Sequence, residues 1–407
     1  MEQERIGLMG GSFNPIHLAH IYAAREAARE AGLQKVLFLP TGRPPHKRES
    51  LAPAAQRLMM VRLALAQEAG FVPSDIEMHR EGTVYTVDTL ALLREQMPGA
   101  AFFYIIGEDT LYDLLNWRQP ERVFQMCRFL VCRRQGSWTD KAALALQEEL
   151  KSRGARFDFL SARAWGLSST EVRAQLEAGR EPEGLPPAVT EYIRVMGLYG
   201  AAPSPAGFAP SMERLAASMS IGRFAHTLCV AYEARRLASL HGEDVQAAAL
   251  AGLLHDCAKG MDLTSLQVYA REHHVQAEPS VFNSGSLLHA PVGAELAREE
   301  YGVRDERVLH AIASHTLGSV PMSSLDMILY LADKTEPDRE NYPGLDEIRE
   351  LSQTDLSGAV LMSLQRTAEY VRERGKSLHP ATERTIHWLK ESSTTYENAY
   401  DVKEGNA

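Results

Sequence analysis

Two sets of residues in this chain have the types and spacing to do phosphate chemistry. The first is a compact run, Gly10-Gly11-Ser12-Phe13-Asn14-Pro15-Ile16-His17-Leu18-Ala19-His20. Glycines let backbone approach a phosphate closely, and a helix opening just after them turns its free N–H groups toward an anion. His17 and His20, three residues apart, share one face of that first turn. Together these groups can hold a triphosphate and stabilise the charge that develops when its α-phosphorus is attacked. Taken alone, a Gly-Gly turn with two surface histidines is commonplace; it is the whole run that carries the reading.

The second set is dispersed: His226, the adjacent pair His255-Asp256, then His289, His315 and Asp333. Imidazole with carboxylate suits a divalent transition metal such as iron, manganese or zinc, and six ligands can make a two-metal centre. The pair His255-Asp256 ends the apolar run Ala248–Leu254, and Asp333 follows the apolar run Ile328–Ala332. A charged group at the inner end of an apolar helix needs a partner, and a metal is a good one. Any one of the chain's 14 histidines is more economically an ordinary buried or exposed side chain, so the reading rests on the set.

The elements that must position these groups fall into two halves. In the first, short apolar runs (Ile6–Met9, Val36–Leu39, Phe102–Ile106, Phe129–Cys132) alternate with amphipathic stretches (Ala19–Ala31, Ala54–Ala69), which predicts an α/β domain with a parallel sheet. The second half has apolar residues at helical spacing and few convincing strands, which predicts an all-α domain. Between them the Pro-, Gly- and Ala-rich segment reads as a linker. The expected division is residues 1–198, a linker at 199–211, a second domain at 212–392, and a polar, aperiodic tail at 393–407 that should be frayed. A chain of 407 residues fits two such domains.

Bulk properties narrow the function. Composition is 45% hydrophobic and 24% charged, without a run long enough to span a bilayer. The start, MEQERIGLMGG, lacks the pattern of a signal peptide, so the cytosol is the expected location. Four cysteines without CxxC spacing indicate neither a disulfide framework nor structural zinc. A net charge of -10 argues against a general nucleic-acid binder and leaves small phosphorylated ligands open.

The Gly10–His20 run resembles the (H/T)xGH motif of the nucleotidylyltransferase superfamily, and the first 200 residues look like bacterial nicotinate-mononucleotide adenylyltransferase, a Rossmann-like fold. Five further segments agree in family order. Pro40–Lys47 matches the loop after the second strand, with Lys47 as a phosphate cation. Tyr85–Leu90 matches the segment whose threonine, here Thr86, is implied to bind the nicotinate carboxylate. Gly107-Glu108-Asp109 matches the family's GxD, placing Asp109 near nucleotide hydroxyls. Trp117 falls where an indole stacks on the pyridine ring. Ser168–Arg173 resembles the ISSTxIR motif, implying that Ser169, Thr170 and Arg173 meet the ATP phosphates. Ala19 and Asn14 stand where the family often has Gly and Asp. The resemblance implies direct attack of the mononucleotide phosphate on ATP, with Mg²⁺ on the triphosphate and Gly10, Gly11, Ser12 and Phe13 lining the substrate. His17 and His20 then stabilise the transition state.

The second half resembles HD-domain phosphohydrolases, and its motifs around His226, His255-Asp256-Cys257-Ala258-Lys259, His289, His315 and Asp333–Arg339 look like the YqeK branch. That branch is similar to symmetrical diadenosine tetraphosphate hydrolases. The implied chemistry is cleavage to two ADP at a di-iron-like centre, with Asp256 catalytic as well as ligating and Lys259 and Arg339 on the flanking phosphates. Two alternatives stay open: another phosphate acceptor for the first half, and either another nucleotide substrate or a non-catalytic sensor role for the second.

Overall fold

The computed structural model describes residues 3–42, 51–78, 83–133, 141–163, 166–375 and 377–404. They form two compact units, Met1–Val189 with Leu198–Ala201, and Thr190–Gly197 with Ala202–Ala407.

In the first unit the order is β1 (Arg5–Gly11), α1 (Leu18–Ala31), β2 (Lys35–Pro40), α2 (Ala54–Ala64), β3 (Phe71–Pro73), α3 (Thr86–Gln96), β4 (Ala101–Gly107), α4 (Glu108–Asp113), α5 (Pro120–Met126), β5 (Cys127–Arg133), α6 (Lys141–Ser152), β6 (Phe157–Arg163) and α7 (Ser169–Glu177). The helix α8 (Pro187–Met196) follows. Among the described residues the strands form one six-stranded sheet in the order β3-β2-β1-β4-β5-β6, and every pairing is parallel. Parallel strands with helices on both faces must be apolar on both sides, and the four expected runs are the four inner strands of the sheet. Ile6, Leu8, Leu39, Phe102, Ile106 and Phe129 belong to its core. The edge strands β3 and β6 escaped prediction because one is three residues long and ends in Pro73, while the other carries Asp158 among its phenylalanines. Strand order reverses between β1 and β4, and the carboxyl ends of those two strands, Gly10-Gly11 and Gly107, border the crevice where such sheets bind ligands.

The second unit is helical throughout its described residues: α9 (Met212–Ala217), α10 (Ile221–His241), α11 (Val245–Leu254), α12 (Leu263–Glu272), α13 (Pro279–Phe282), α14 (Gly285–Glu300), α15 (Glu306–Ser314), α16 (Ser324–Thr335), α17 (Leu345–Leu351), α18 (Leu356–Glu373) and α19 (Pro380–Glu404). Helix α11 is buried almost all round, and a β-carbon on its Gly252 would lie 2.6 Å from the backbone of Ala231, so only glycine lets α10 and α11 approach this closely. No helix among the described residues is long and apolar enough to cross a membrane.

Thr190–Gly197 groups with the second unit, where buried Glu191 accepts from Arg235 on α10. The later part of the expected linker is also anchored there, since Phe208 is buried and stacks on Tyr301 at 6.1 Å. Helix α19 runs from Pro380 to Glu404, and no glycine or proline interrupts it after Pro380.

Candidate active sites

Burial and backbone geometry prepare the first site. His17 is the residue before α1, and its own N–H donates to Nδ1 of His20 at 3.2 Å. Because that nitrogen accepts, a neutral His20 carries its proton on Nε2 and presents it as a donor. The two rings lie 3.8 Å apart, and Phe13, in a left-handed conformation with φ 44°, sets its ring edge-on to His20. Burial pushes the His17 pKa down to about 4, against a weaker opposing pull from Glu171. It also pushes His20 well below the usual imidazole range, and the neighbouring His17 adds to the effect. The pair is therefore neutral at physiological pH: two imidazoles able to donate hydrogen bonds without attracting anions by charge.

Around the mouth of β1 the expected ligand groups converge on a residue the sequence pattern does not mark. A β-carbon on Gly10 would collide with the Tyr104 hydroxyl, so Gly10 is required where that ring meets the strand. The same hydroxyl is hydrogen-bonded to Thr86, and Trp117 packs edge-on to the ring at 5.8 Å. Gly10, Thr86 and Trp117, up to 107 residues apart in sequence, thus surround one buried phenol. Tyr104 sits inside the apolar run Phe102–Ile106, where periodicity shows it only as core. Asp109 is exposed in the first turn of α4, with a carboxylate oxygen 2.5 Å from where a β-carbon on Gly107 would stand.

The loop from Ser12 to Pro15 is held by two arginines. Arg57 of α2 is 1% exposed, and its guanidinium donates to the carbonyls of Ser12 at 2.7 Å, Thr41 at 2.7 Å, Gly42 at 3.2 Å and Ala52 at 3.0 Å. A charge buried this deeply is tolerable only because carbonyl dipoles surround it. Arg173 donates to the carbonyl of Asn14 at 2.8 Å, and the Ser169 hydroxyl to that of Pro15 at 2.9 Å. Two residues expected on the ATP phosphates therefore fasten the loop backbone, while Thr170 is exposed beside them and accepts from Arg173. The residue capping α7 is Ser168, in a reciprocal box with Glu171. Lys47 lies outside the described residues. Arg57 was missed: Arg57 and Arg62 both border the apolar stretch Leu58–Val61, and nothing local marks which of them is buried.

All six expected ligands of the second site come together. His226 Nε2 lies 3.2 Å from Asp333 Oδ1, and His255 Nε2 lies 3.7 Å from the same oxygen and 3.8 Å from Asp256 Oδ2. His289 Nε2 lies 3.1 Å from Asp256 Oδ1 and 3.3 Å from His315 Nε2. Three of the rings have a backbone carbonyl behind Nδ1, the longest of these contacts being His289 to Gly285 at 3.4 Å. Carbonyls of Gly252 and Ile312 sit 2.8 and 2.7 Å from Nδ1 of His255 and His315, which obliges those nitrogens to donate and leaves Nε2 as a lone pair. Lone pairs and carboxylate oxygens thus face each other in a buried space, an arrangement that repels unless a cation sits among them. Consistent with that need, His255 Nε2 is buried without a hydrogen-bond partner among the described residues. The groups His226-His255-Asp333 and His255-Asp256-His315 each bring their ligand atoms within 4.8 Å of one another. The donor set fits a divalent metal centre.

Four cations edge the same pocket: Arg223, Lys259, Lys334 and Arg339. Arg223 reaches Asp256 at 2.7 Å and Lys334 reaches Asp333 at 2.8 Å, while Lys259 lies 3.1 Å from His289 and Arg339 stands 4.0 Å from Asp333. Lys259 is therefore set among the ligands rather than outside them. Arg223 and Lys334 went unassigned, although one precedes His226 by three residues on α10 and the other adjoins Asp333. Burial lowers the His315 pKa to about 3, helped by His255. Burial also resists charge on His226, but Asp333 and Glu336 outweigh it and lift that imidazole to about 9.

A cytidylyltransferase-like family model matches residues 8–175, and an HD-domain model matches residues 223–338. A protein of Neisseria meningitidis named probable nicotinate-nucleotide adenylyltransferase is 40% identical over 200 residues, covering 48% of this chain and 98% of that protein. The chain belongs to the nicotinate-nucleotide adenylyltransferase family, with an HD domain fused to it. The fusion itself has a relative: a Mycoplasma genitalium protein named probable nicotinate-nucleotide adenylyltransferase/Ap4A hydrolase is 28% identical over 376 residues, 91% of this chain and all of that one. A Clostridium acetobutylicum crystal structure described as a predicted HD superfamily hydrolase involved in NAD metabolism is 34% identical, with a TM-score of 0.44 over 46% of this chain and 98% of that chain.

Proposed function

We propose that the first unit transfers the adenylyl group of ATP to nicotinate mononucleotide, giving deamido-NAD and pyrophosphate. The observation that carries this reading is the convergence of Gly10, Thr86 and Trp117 on Tyr104, with Gly10 on the same strand-to-helix segment as the neutral His17–His20 pair. In the reaction a phosphate oxygen of the mononucleotide bonds to the α-phosphorus as the bond to the bridging oxygen of pyrophosphate breaks. No covalent enzyme nucleophile is needed, because positioning and charge stabilisation supply the acceleration. Backbone at Gly10–Phe13 and the start of α1 face the triphosphate, which arrives with its Mg²⁺. His20 donates from Nε2, His17 acts beside it, Lys47 and Thr170 complete the cradle, and Ser169 and Arg173 hold the loop backbone at Pro15 and Asn14. Thr86 and Trp117 receive the pyridine ring and its carboxylate, and Asp109 the nucleotide hydroxyls.

For the second unit the same proposal assigns hydrolysis of diadenosine tetraphosphate to two ADP. His226, His255, Asp256, His289, His315 and Asp333 would hold two divalent ions, iron being the favoured metal, and these supply Lewis-acid polarisation of the phosphoryl group when bound. Arg223 and Lys259 on the Asp256 side, with Lys334 and Arg339 on the Asp333 side, bind phosphates on both flanks of the scissile bond. Support comes from the donor set and from the name of the Mycoplasma relative, which spans both units.

Product analysis tests both halves. The full chain loaded with iron or manganese should convert diadenosine tetraphosphate to ADP alone, and a His255→Ala, Asp256→Ala control should not; ATP with AMP would refute the bond assignment. With ATP, nicotinate mononucleotide should outcompete nicotinamide mononucleotide and pantetheine phosphate as acceptor.

A further inference from the structure

Of the four histidines at this centre, three have a backbone carbonyl near Nδ1, at 2.8 Å for His255, 3.4 Å for His289 and 2.7 Å for His315; the fourth is His226. It projects from α10, and its Nδ1 has no backbone carbonyl behind it as His255 and His315 have. What lies there instead is a carboxylate: Glu336 Oε1, 3.2 Å from His226 Nδ1, with the residue 3% exposed. Glu336 is itself immobilised. Its other oxygen accepts the Asp338 N–H at 2.7 Å, its carbonyl accepts from Arg349 at 2.8 Å, and its N–H caps α16 on Ala332 at 3.0 Å. A buried carboxylate fixed at both oxygens can hold an imidazole in one rotamer and one tautomer.

We propose that Glu336 is the positioning residue of this centre: it takes the Nδ1–H of His226, directs Nε2 at the space shared with Asp333 and His255, and so sets the affinity of the His226-His255-Asp333 group for its divalent cation. This rests on the metal-site reading of the HD unit. The chemistry is the common one in which the far nitrogen of a ligating imidazole donates to a carboxylate, making the near nitrogen more basic and better aimed. Glu336 differs from the six ligands in that its oxygens face a ring nitrogen and a backbone N–H.

The test uses the full chain, stripped with a chelator and titrated with Co²⁺ alone, reading affinity by calorimetry and ligand geometry by the visible absorption of the bound ion. Glu336→Gln keeps an acceptor for Nδ1 and should weaken binding by about 10-fold, and Glu336→Leu, which offers none, by about 100-fold with an altered spectrum. Adenylyl transfer by the other unit and the far-UV circular dichroism should not change. Wild-type affinity and spectrum in Glu336→Leu would overturn the proposal. If Glu336→Leu does not fold, wild-type affinity in Glu336→Gln with an unchanged spectrum overturns it instead. Absence of Co²⁺ binding by the wild-type chain would overturn the metal-site reading itself.

Discussion

The two sites both use clustered histidines, and they treat them in opposite ways. In the first unit no carboxylate makes a hydrogen bond to His17 or His20 among the described residues, so burial dominates and both rings stay neutral. In the second unit each imidazole edge that faces the centre meets Asp256, Asp333 or another ring, and His226 is lifted to about 9 where two carboxylates flank it. A neutral donor suits a site that stabilises transient charge on a phosphate, since it adds no ground-state attraction to lose. A set of inward lone pairs and carboxylates suits a site that keeps a cation. The same side chain is thus turned into a hydrogen-bond donor or into an inward lone pair that suits a metal by what stands behind Nδ1: His20 accepts from backbone N–H, whereas His255 and His315 donate to backbone carbonyls.

The largest expected effect separates the halves. His255→Ala with Asp256→Ala should abolish nucleotide hydrolysis, a loss of roughly 10³-fold or more as for groups that act as a unit, with adenylyl transfer unchanged. A parallel fall in adenylyl transfer would break the comparison by tying the two centres together. Next, His20→Ala should lower kcat for adenylyl transfer by about 10²- to 10³-fold, the scale of one lost transition-state donor, and leave hydrolysis intact. Arg57→Met should follow: four carbonyls lose their donor in a buried site, which costs about 3 kcal/mol, measured as a shift of the first unit's denaturation midpoint.

The smallest effect is on pH. Burial holds folded His17 at about 4, below the 6.5 of an unperturbed histidine, so the unfolded chain takes up the proton first. Its contribution to stability is full above about pH 6.5 and declines as pH falls toward 4. Imidazole NMR of His17 should show no titration between pH 6 and 9. A midpoint near 6.5 would place the ring in solvent and remove the contrast with the metal-binding histidines.

Much of both sites was legible in the sequence because their residues are unusual where they stand. A histidine and an aspartate at the buried end of the apolar helix α11 are costly there unless a cation partners them. Two glycines between an apolar run and a histidine-bearing helix announce a strand, a tight approach and an anion-facing turn. Residues that look ordinary were not legible. Tyr104 resembles any core aromatic, Arg57 any helix arginine, and Glu336 any acid after a helix, yet one gathers Gly10, Thr86 and Trp117, one holds the loop and one stands behind His226. Ser169 and Arg173 show the converse, since their motif pointed to phosphates while their hydrogen bonds in the structure go to Pro15 and Asn14.

Local sequence determined the parallel sheet, the helical second half, the set of histidines and aspartates that gather in the second unit and the glycine turn, because hydrophobic period and residue chemistry act over a few neighbours. Only tertiary structure decided which nitrogen of each histidine is free, which carbonyls absorb the charge of Arg57 and which carboxylate stands behind His226. Those choices depend on atoms brought together from segments up to 110 residues apart, as His226 and Glu336 are, and no local pattern records them.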